Sequence, residues 1–229
     1  FKKDISKLVS PFPSFSIYGQ PTKDPGFNVK IIKDGQVAIL EQGIGENFLN
    51  SAWAILTGDI DNNGKPSYQI EFRKIAKPSL TLLDEMQYIS LSGVQFKIFF
   101  HVYERENYRN LNINFDFIKK LGRDYGGVRV FLDNFRVSPY GDTLDDWLKL
   151  ADTRSRNTDL ATQVVMSSLI KKYADGLDRP FLLIPGNNQV FGFVYLSQAT
   201  HLNRDKPIHQ RLNIRASREG FIENEAFGD

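Results

Sequence analysis

Gly127-Val128-Arg129-Val130-Phe131-Leu132-Asp133-Asn134-Phe135-Arg136-Val137-Ser138-Pro139-Tyr140-Gly141 is the stretch from which the fold is best read. Gly126-Gly127 opens a strand from Val128 to Leu132, Asp133-Asn134 supplies turn chemistry, and Phe135 to Val137 returns before Pro139-Tyr140-Gly141 closes the unit. This pattern predicts a tight β-hairpin. Just upstream, Ile113, Phe117 and Leu121 lie four apart, which predicts a helix over 112–121 ended by Gly122. Just downstream, Asp142 or Thr143 is placed to cap a short helix carrying Leu144, Trp147, Leu148 and Leu150. Asp145 and Asp146 fall in its first turn, where carboxylates favour the positive end of the helix dipole.

Working outward, the N-terminal half is rich in strand signals. Phe15 to Tyr18 is one candidate, and Asn28 to Ile32 and Gln36 to Leu40 flank the turn Lys33-Asp34-Gly35. Ala52 to Ile60 and Tyr68 to Ile75 flank Asp61-Asn62-Asn63-Gly64, with Tyr68, Ile70 and Phe72 alternating with Gln69, Glu71 and Arg73. Gly93 to Glu104 reads as a longer strand with Phe96, Ile98 and Phe100 on one face and Phe99 on the other. Towards the C-terminus a helix over 159–174 precedes strands at Phe181 to Ile184, Val190 to Leu196 and Arg211 to Ile214, and Ser217 is placed to cap a last helix. Helices and strands in this arrangement predict an α+β fold, a mixed but mostly antiparallel sheet backed by helices. No internal repeat or low-complexity segment interrupts it.

The 229 residues suffice for a self-supporting core, with 41% hydrophobic and 24% charged residues. No apolar run approaches the roughly 18 residues of a membrane helix, so no membrane partner is expected. Zero cysteines exclude disulfides, thiolate metal sites and cysteine nucleophiles together. A net charge of +2 provides no general field for nucleic acid, so any anion site must be local. The opening from Phe1 lacks the pattern of a signal peptide, and the chain reads as cut from a longer one.

Several motifs are weaker than they look. Asp59, Asp61, Asn63 and Gly64 match early positions of a calcium loop, but Ile70 stands at the twelfth and Glu71 comes one residue late, so a polar hairpin turn explains them. Adjacent Asp145 and Asp146 on a helix point about 100° apart and cannot flank one bond, which leaves capping. His101, His201 and His209 lack metal-ligand spacing, the last two standing in a polar loop. Gly186-Asn187-Asn188-Gln189 has neither the spacing nor the lysine of a P-loop. Phe72-Arg73-Lys74 and Tyr103 to Arg109 interleave bases with aromatics, but Glu71, Glu104 and Glu106 cancel the charge, so nucleic acid is not indicated. By itself the chain does not read as a complete enzyme. The segment Asn213 to Phe227 stands apart because it sets Arg215 and Arg218 where a strand is expected to become a helix, on a turn whose amides and dipole favour phosphate.

Four blocks in order carry a resemblance: Gly127 to Gly141, Asp145-Asp146-Trp147-Leu148, Asn187 to Val194, and Arg218-Glu219-Gly220-Phe221-Ile222-Glu223-Asn224-Glu225-Ala226-Phe227. Together they resemble the region after the nucleotide-binding domain in bacterial GHKL-type ATPases, the superfamily of gyrase B, the ninety-kilodalton heat-shock chaperones, MutL, histidine kinases and MORC proteins. Ser10-Pro11-Phe12 resembles the family junction more weakly, and residues 15–110 match only in strand rhythm.

The resemblance implies a transducer, or middle, domain with a ribosomal-protein-like left-handed βαβ unit, an exception to the right-handed rule. It implies residues 1–14 as a connecting helix from an upstream ATP-binding domain, then a transducer-like domain over 15–229, with a β-rich part to 110 and an α/β part from 111. It assigns the γ-phosphate contact to Arg218, at the position of a lysine in MORC-type proteins, with Arg215 as second choice and Ser217 beside it. ATP and magnesium would be held mainly by the missing domain, whose asparagine helix and Asp-x-Gly-x-Gly turn do not occur in this chain. The implied setting is cytoplasmic, with a possible homodimer and a client the residues do not name. The implied role is non-catalytic for this chain alone, coupling hydrolysis in a longer ATPase to conformational change. The insertion-like stretch 158–179 departs from the family pattern. The alternative is a binding module in which the aromatic-rich sheet of residues 15–110 grips a peptide or single-stranded nucleic acid.

Overall fold

The computed structural model describes residues 31–33, 36–38, 43–74, 79–83, 86–111, 114–133, 135–142, 144–155, 184–197, 207, 211–215, 219–222 and 224. The expected connecting helix 1–14, the strand at 15–18 and the helix over 159–174 lie outside these residues, as do His201, His209, Ser217 and Arg218.

β1 (Ile31–Lys33) and β2 (Gln36–Ala38) pair antiparallel as expected, with Lys33, expected in the turn, ending β1 opposite Gln36. Helix α1 (Gly43–Asn50) follows. Then β3 (Ala54–Ile60), β4 (Pro66–Phe72), β5 (Leu80–Leu83), β6 (Gln95–Phe100), β7 (Gly127–Leu132), β8 (Phe135–Val137) and β9 (Val190–Leu196) join one sheet in the order β5-β4-β3-β6-β9-β7-β8. Every neighbouring pair is antiparallel except β7 with β9, which run parallel with Val130 opposite Val194. With α2 (Phe115–Tyr125) and α3 (Leu150–Ser155) beside it, the protein is α+β with a mixed, mostly antiparallel sheet.

Strand alternation divides this sheet into two faces. One carries Ile55, Phe99, Phe191 and Phe193, and against them pack Phe48 and Leu49 of α1 with Ile118 and Leu121 of α2. The other carries Ile60, Val130, Leu132, Val137 and Leu196, joined by Tyr140, Leu212 and Phe221. The register places Phe99 opposite Ile55 and Phe191, so its separation from Phe96, Ile98 and Phe100 follows the expected alternation.

Two helix expectations are corrected. The helix predicted over 112–121 is Phe115–Tyr125, because the Asn114 side chain accepts the Asp116 N–H at 2.8 Å and sets the start. Phe117 is exposed, and the buried stripe is Ile118, Leu121 and Gly122. The helix predicted to carry Leu144 and Trp147 begins only at Leu150. Leu144 is 99% exposed, and Asp146 Oδ2 accepts the Ala151 and Asp152 N–H groups at 2.9 and 3.0 Å. Asp146 thus does the expected capping, one helix start later than the apolar spacing suggested. Helix α1 and strand β5 had no counterpart in the periodicity reading, being too short to declare a period.

Gly122 sits inside α2, where alanine ordinarily stabilises. Here a Cβ would collide with Tyr103 Oη and approach the Asn188 carbonyl to 2.5 Å. Gly122→Ala is therefore expected to destabilise by about 1–3 kcal/mol, the usual cost of overpacking, read as a lowered thermal midpoint. An unchanged or raised midpoint would show that α2 does not seat on the turn before β9.

No helix among the described residues is long and apolar enough to cross a membrane.

Candidate functional site

The β7–β8 hairpin ends in the loop 138–142, and the four sequence blocks meet around it. Arg136 pairs with Asp142 across the loop, and Ser138 Oγ donates to Asp142 Oδ2 at 3.2 Å. Tyr140 is buried against Trp147 (ring centroids 5.4 Å, edge-on) and Phe221 (5.8 Å, stacked). Trp147 Nε1–H donates to the Val128 carbonyl at 2.8 Å, which ties the segment after the hairpin to β7. The Gly141 N–H donates to Asp145 Oδ2 at 2.9 Å, and Asn187 Nδ2 donates to Asp146 Oδ1 at 2.8 Å, linking the loop to the turn that enters β9. Asp145 and Asp146 are thus consumed as acceptors for structural donors, and neither stands as one of a facing carboxylate pair. Burial raises the Asp145 pKa, opposed by the Gly141 hydrogen bond, with the charges of Asp142 and Asp146 pushing it further up.

The described part of the fourth block, 219–222, returns antiparallel to 213–215. Ile214 and Phe221 form an antiparallel bridge, Arg215 N–H donates to the Gly220 carbonyl at 3.1 Å, and Ile222 N–H donates to the Asn213 carbonyl at 2.7 Å. This corrects the expected strand-to-helix junction: residues 219–222 return antiparallel, and Ser217 is followed by a β-type pairing instead of a helix start. The physical reason is the burial of Phe221 beneath Tyr140, which holds the returning strand. Gly220 has φ +76°, a left-handed conformation natural to glycine, and faces Tyr140 Oη closely enough that a Cβ would lie 3.3 Å away. Arg215 is exposed on the rim of this reversal, its Nε donating to the Phe221 carbonyl at 3.1 Å. Arg218 and Ser217 belong to the residues between its two arms that are not described.

Other candidates resolve into structure. Asp61 Oδ1 accepts the Asn63 and Lys65 N–H groups, both at 2.8 Å, and Asp59 Oδ1 accepts from Ser67 Oγ at 2.8 Å, so the calcium-like residues close the β3–β4 turn. No group of three or more His, Asp or Glu among the described residues is placed to hold a metal. Asn187–Gln189 is one 3-10 turn before β9, with Gly186 N–H donating to Gln189 Oε1 at 3.2 Å. Arg109 pairs with Glu106 at 2.9 Å on the exposed 3-10 turn after β6, a solvated charge pair as the local sequence balance suggested.

Two buried groups escaped the sequence reading. His101 is 1% exposed, stacked on Phe48 at 4.1 Å, with Nδ1 3.1 Å from Tyr108 Oη and Nε2 without a hydrogen-bond partner. Burial, reinforced by the positive charge of Lys74, pushes its pKa down to about 3. Burial likewise raises the Tyr103 and Tyr108 phenols well above their ordinary value. Arg129 is 5% exposed, and its Nη2 donates to the Tyr125 carbonyl at 2.6 Å, a cation set on the C-terminal end of α2. Burial, then the charge of Arg136, lowers its pKa to about 10, which leaves it charged at neutral pH. Only the placement of Arg129 on a hairpin strand buried on both faces carried a hint of this.

Comparison of the chain with protein-family models, with curated proteins and with solved structures gives no match.

Proposed function

We propose that the chain is the transducer domain of a longer cytoplasmic GHKL-type ATPase, carrying the basic residue that contacts the γ-phosphate of ATP held in an upstream domain. What supports this reading is that the four blocks bearing the family resemblance converge on one corner of the sheet. Tyr140 from the first touches Trp147 from the second and Phe221 from the fourth, and Asn187 from the third bonds Asp145 and Asp146. The parallel neighbours β7 and β9 are the strands a left-handed βαβ unit would use. The chemistry of the reading is electrostatic: a cation aimed at the transferring phosphoryl group stabilises charge in the transition state, and its release after hydrolysis lets the domains separate. Arg218, with Ser217 beside it and Arg215 as second choice, would supply that cation. ATP and its magnesium would be bound by the upstream domain, so this chain alone neither binds ATP tightly nor hydrolyses it. A homodimer closing on ATP and a client moved by the transducer complete the proposal.

In the full-length native protein, Arg218→Ala or Arg215→Ala is expected to lower ATP turnover by at least about a hundredfold, the lower end for losing a charge on a phosphoryl group, with the melting temperature held. Wild-type turnover from both variants would remove the site assignment, and a full-length protein without ATPase activity would remove the function.

One observation keeps the binding-module reading in play. Phe99 is buried, but Tyr68 with Phe96 and Trp53 with Phe72 form ring pairs that remain partly exposed. Salt-dependent binding of single-stranded oligonucleotides, lost on Phe96→Ala, would favour it over the ATPase.

A further inference from the structure

We infer that Tyr140 is a positioning residue that sets the paired arms 213–215 and 219–222 against the β7–β8 hairpin and couples the two; the inference rests on the phosphate-sensing reading of Arg215 and its neighbours. Tyr140 Oη accepts the Phe221 N–H at 2.9 Å, a bond made between residues 81 apart in sequence and buried from water. Its ring stacks on Phe221 with the planes 21° apart, so one side chain supplies both an acceptor for the returning arm and a surface for it to lie on. On the other arm the backbone pairs Arg215 with Gly220 and Asn213 with Ile222, so a shift of Phe221 carries Arg215 with it. Arg215 Nε also holds the Phe221 carbonyl, which makes residue 221 the common point of the arginine and the tyrosine.

The far side of Tyr140 leads into the body of the protein. Its ring meets Trp147, whose indole N–H is anchored on Val128 of β7. Gly141, the next residue, donates to Asp145, and the neighbouring Asp146 caps α3 and takes Asn187 from the turn before β9. A displacement of the reversal therefore has a contiguous route to both parallel strands and to α3, through packed rings and part-buried hydrogen bonds.

Tyr140→Phe keeps the ring and removes the acceptor, so it tests the coupling without emptying the core. In the full-length protein it is expected to lower kcat about tenfold with KM for ATP unchanged, the effect of one hydrogen bond needed only in the reacting geometry. The Phe221 amide is expected to exchange with solvent at least about tenfold faster, since its acceptor is gone. Tyr140→Leu, which also loses the stacking surface, is expected to reduce kcat further. An unchanged kcat in Tyr140→Phe, while Arg215→Ala or Arg218→Ala abolishes turnover, overturns the coupling and leaves the ATPase reading standing. Unchanged exchange at Phe221 overturns the brace itself. Should both arginine variants turn over ATP normally, the phosphate-sensing reading falls and the coupling with it, whatever the exchange rate.

Discussion

Phe48→Ala is expected to destabilise the protein by about 3–5 kcal/mol, the cost of removing a fully buried aromatic side chain and leaving a cavity. Phe48 is 0% exposed at the junction of α1 with the sheet. Its ring lies flat on His101 at 4.1 Å and edge-on to Phe191 at 4.8 Å, so its removal strips contacts from the strand ends of both β6 and β9. The cavity would be lined by the rings of His101, Tyr108 and Phe191, which also pack on each other, a setting in which collapse is limited. Urea unfolding monitored by fluorescence measures the change, with the slope against denaturant confirming that the same surface is exposed. A loss below about 1 kcal/mol would mean that α1 does not seat on the sheet where Phe48 is placed.

The second large effect is acid sensitivity centred on His101. Its pKa is pushed from 6.5 to about 3 in the folded protein, so between these values the unfolded chain holds a proton that the native state does not. Stability rises with pH wherever the unfolded state binds more protons. The contribution of neutral His101 is thus fully present above pH 6.5 and is lost as pH falls, by up to about 1.4 kcal/mol per unit. From pH 6.5 to pH 5 the expected loss from this residue alone is roughly 2 kcal/mol. His101→Phe keeps the stack on Phe48 but removes the partner of Tyr108 Oη, so it is expected to be less stable than wild type near pH 7.5 by about 1–3 kcal/mol. Its handicap should shrink as the pH drops, because no imidazole remains to be protonated. Parallel curves for the two proteins from pH 7.5 to pH 5 would show that His101 is not held neutral in the core.

The hairpin at β7–β8 was legible because every element of its signal is local: β-branched residues, a polar turn and a closing Pro-Tyr-Gly within fifteen consecutive positions. The alternation along β3, β4 and β6 was legible for the same reason, a period of two that needs only the chain itself. Helix α2 was found but turned on its axis, since Phe117 fits the apolar spacing as well as Ile118 does, and which of them is buried depends on the sheet beneath. Sequence groups His101 with the other histidines, although it directly follows the aromatic strand β6. Nothing local announces that Phe48 and Phe191, from distant places, would join Tyr108 in enclosing it. At the candidate site the residues of the four blocks were named from sequence, and their convergence on Tyr140 was not. The reversal at 213–222 was read as a helix start because Ser217 and the acidic residues after it have capping chemistry, and that preference yields to the burial of Phe221.

What the sequence determined by itself is the fold class, the β7–β8 hairpin and the lack of any cysteine chemistry. Each follows from composition or from spacing within a few residues. Only the tertiary structure decided that β9 inserts between β6 and β7, parallel to the latter, that His101 and Arg129 lie buried, and that the arm after Gly220 returns against Tyr140. Those outcomes turn on contacts between residues tens of positions apart, where the free energy of burying Phe191, Phe48 and Phe221 outweighs local conformational preference.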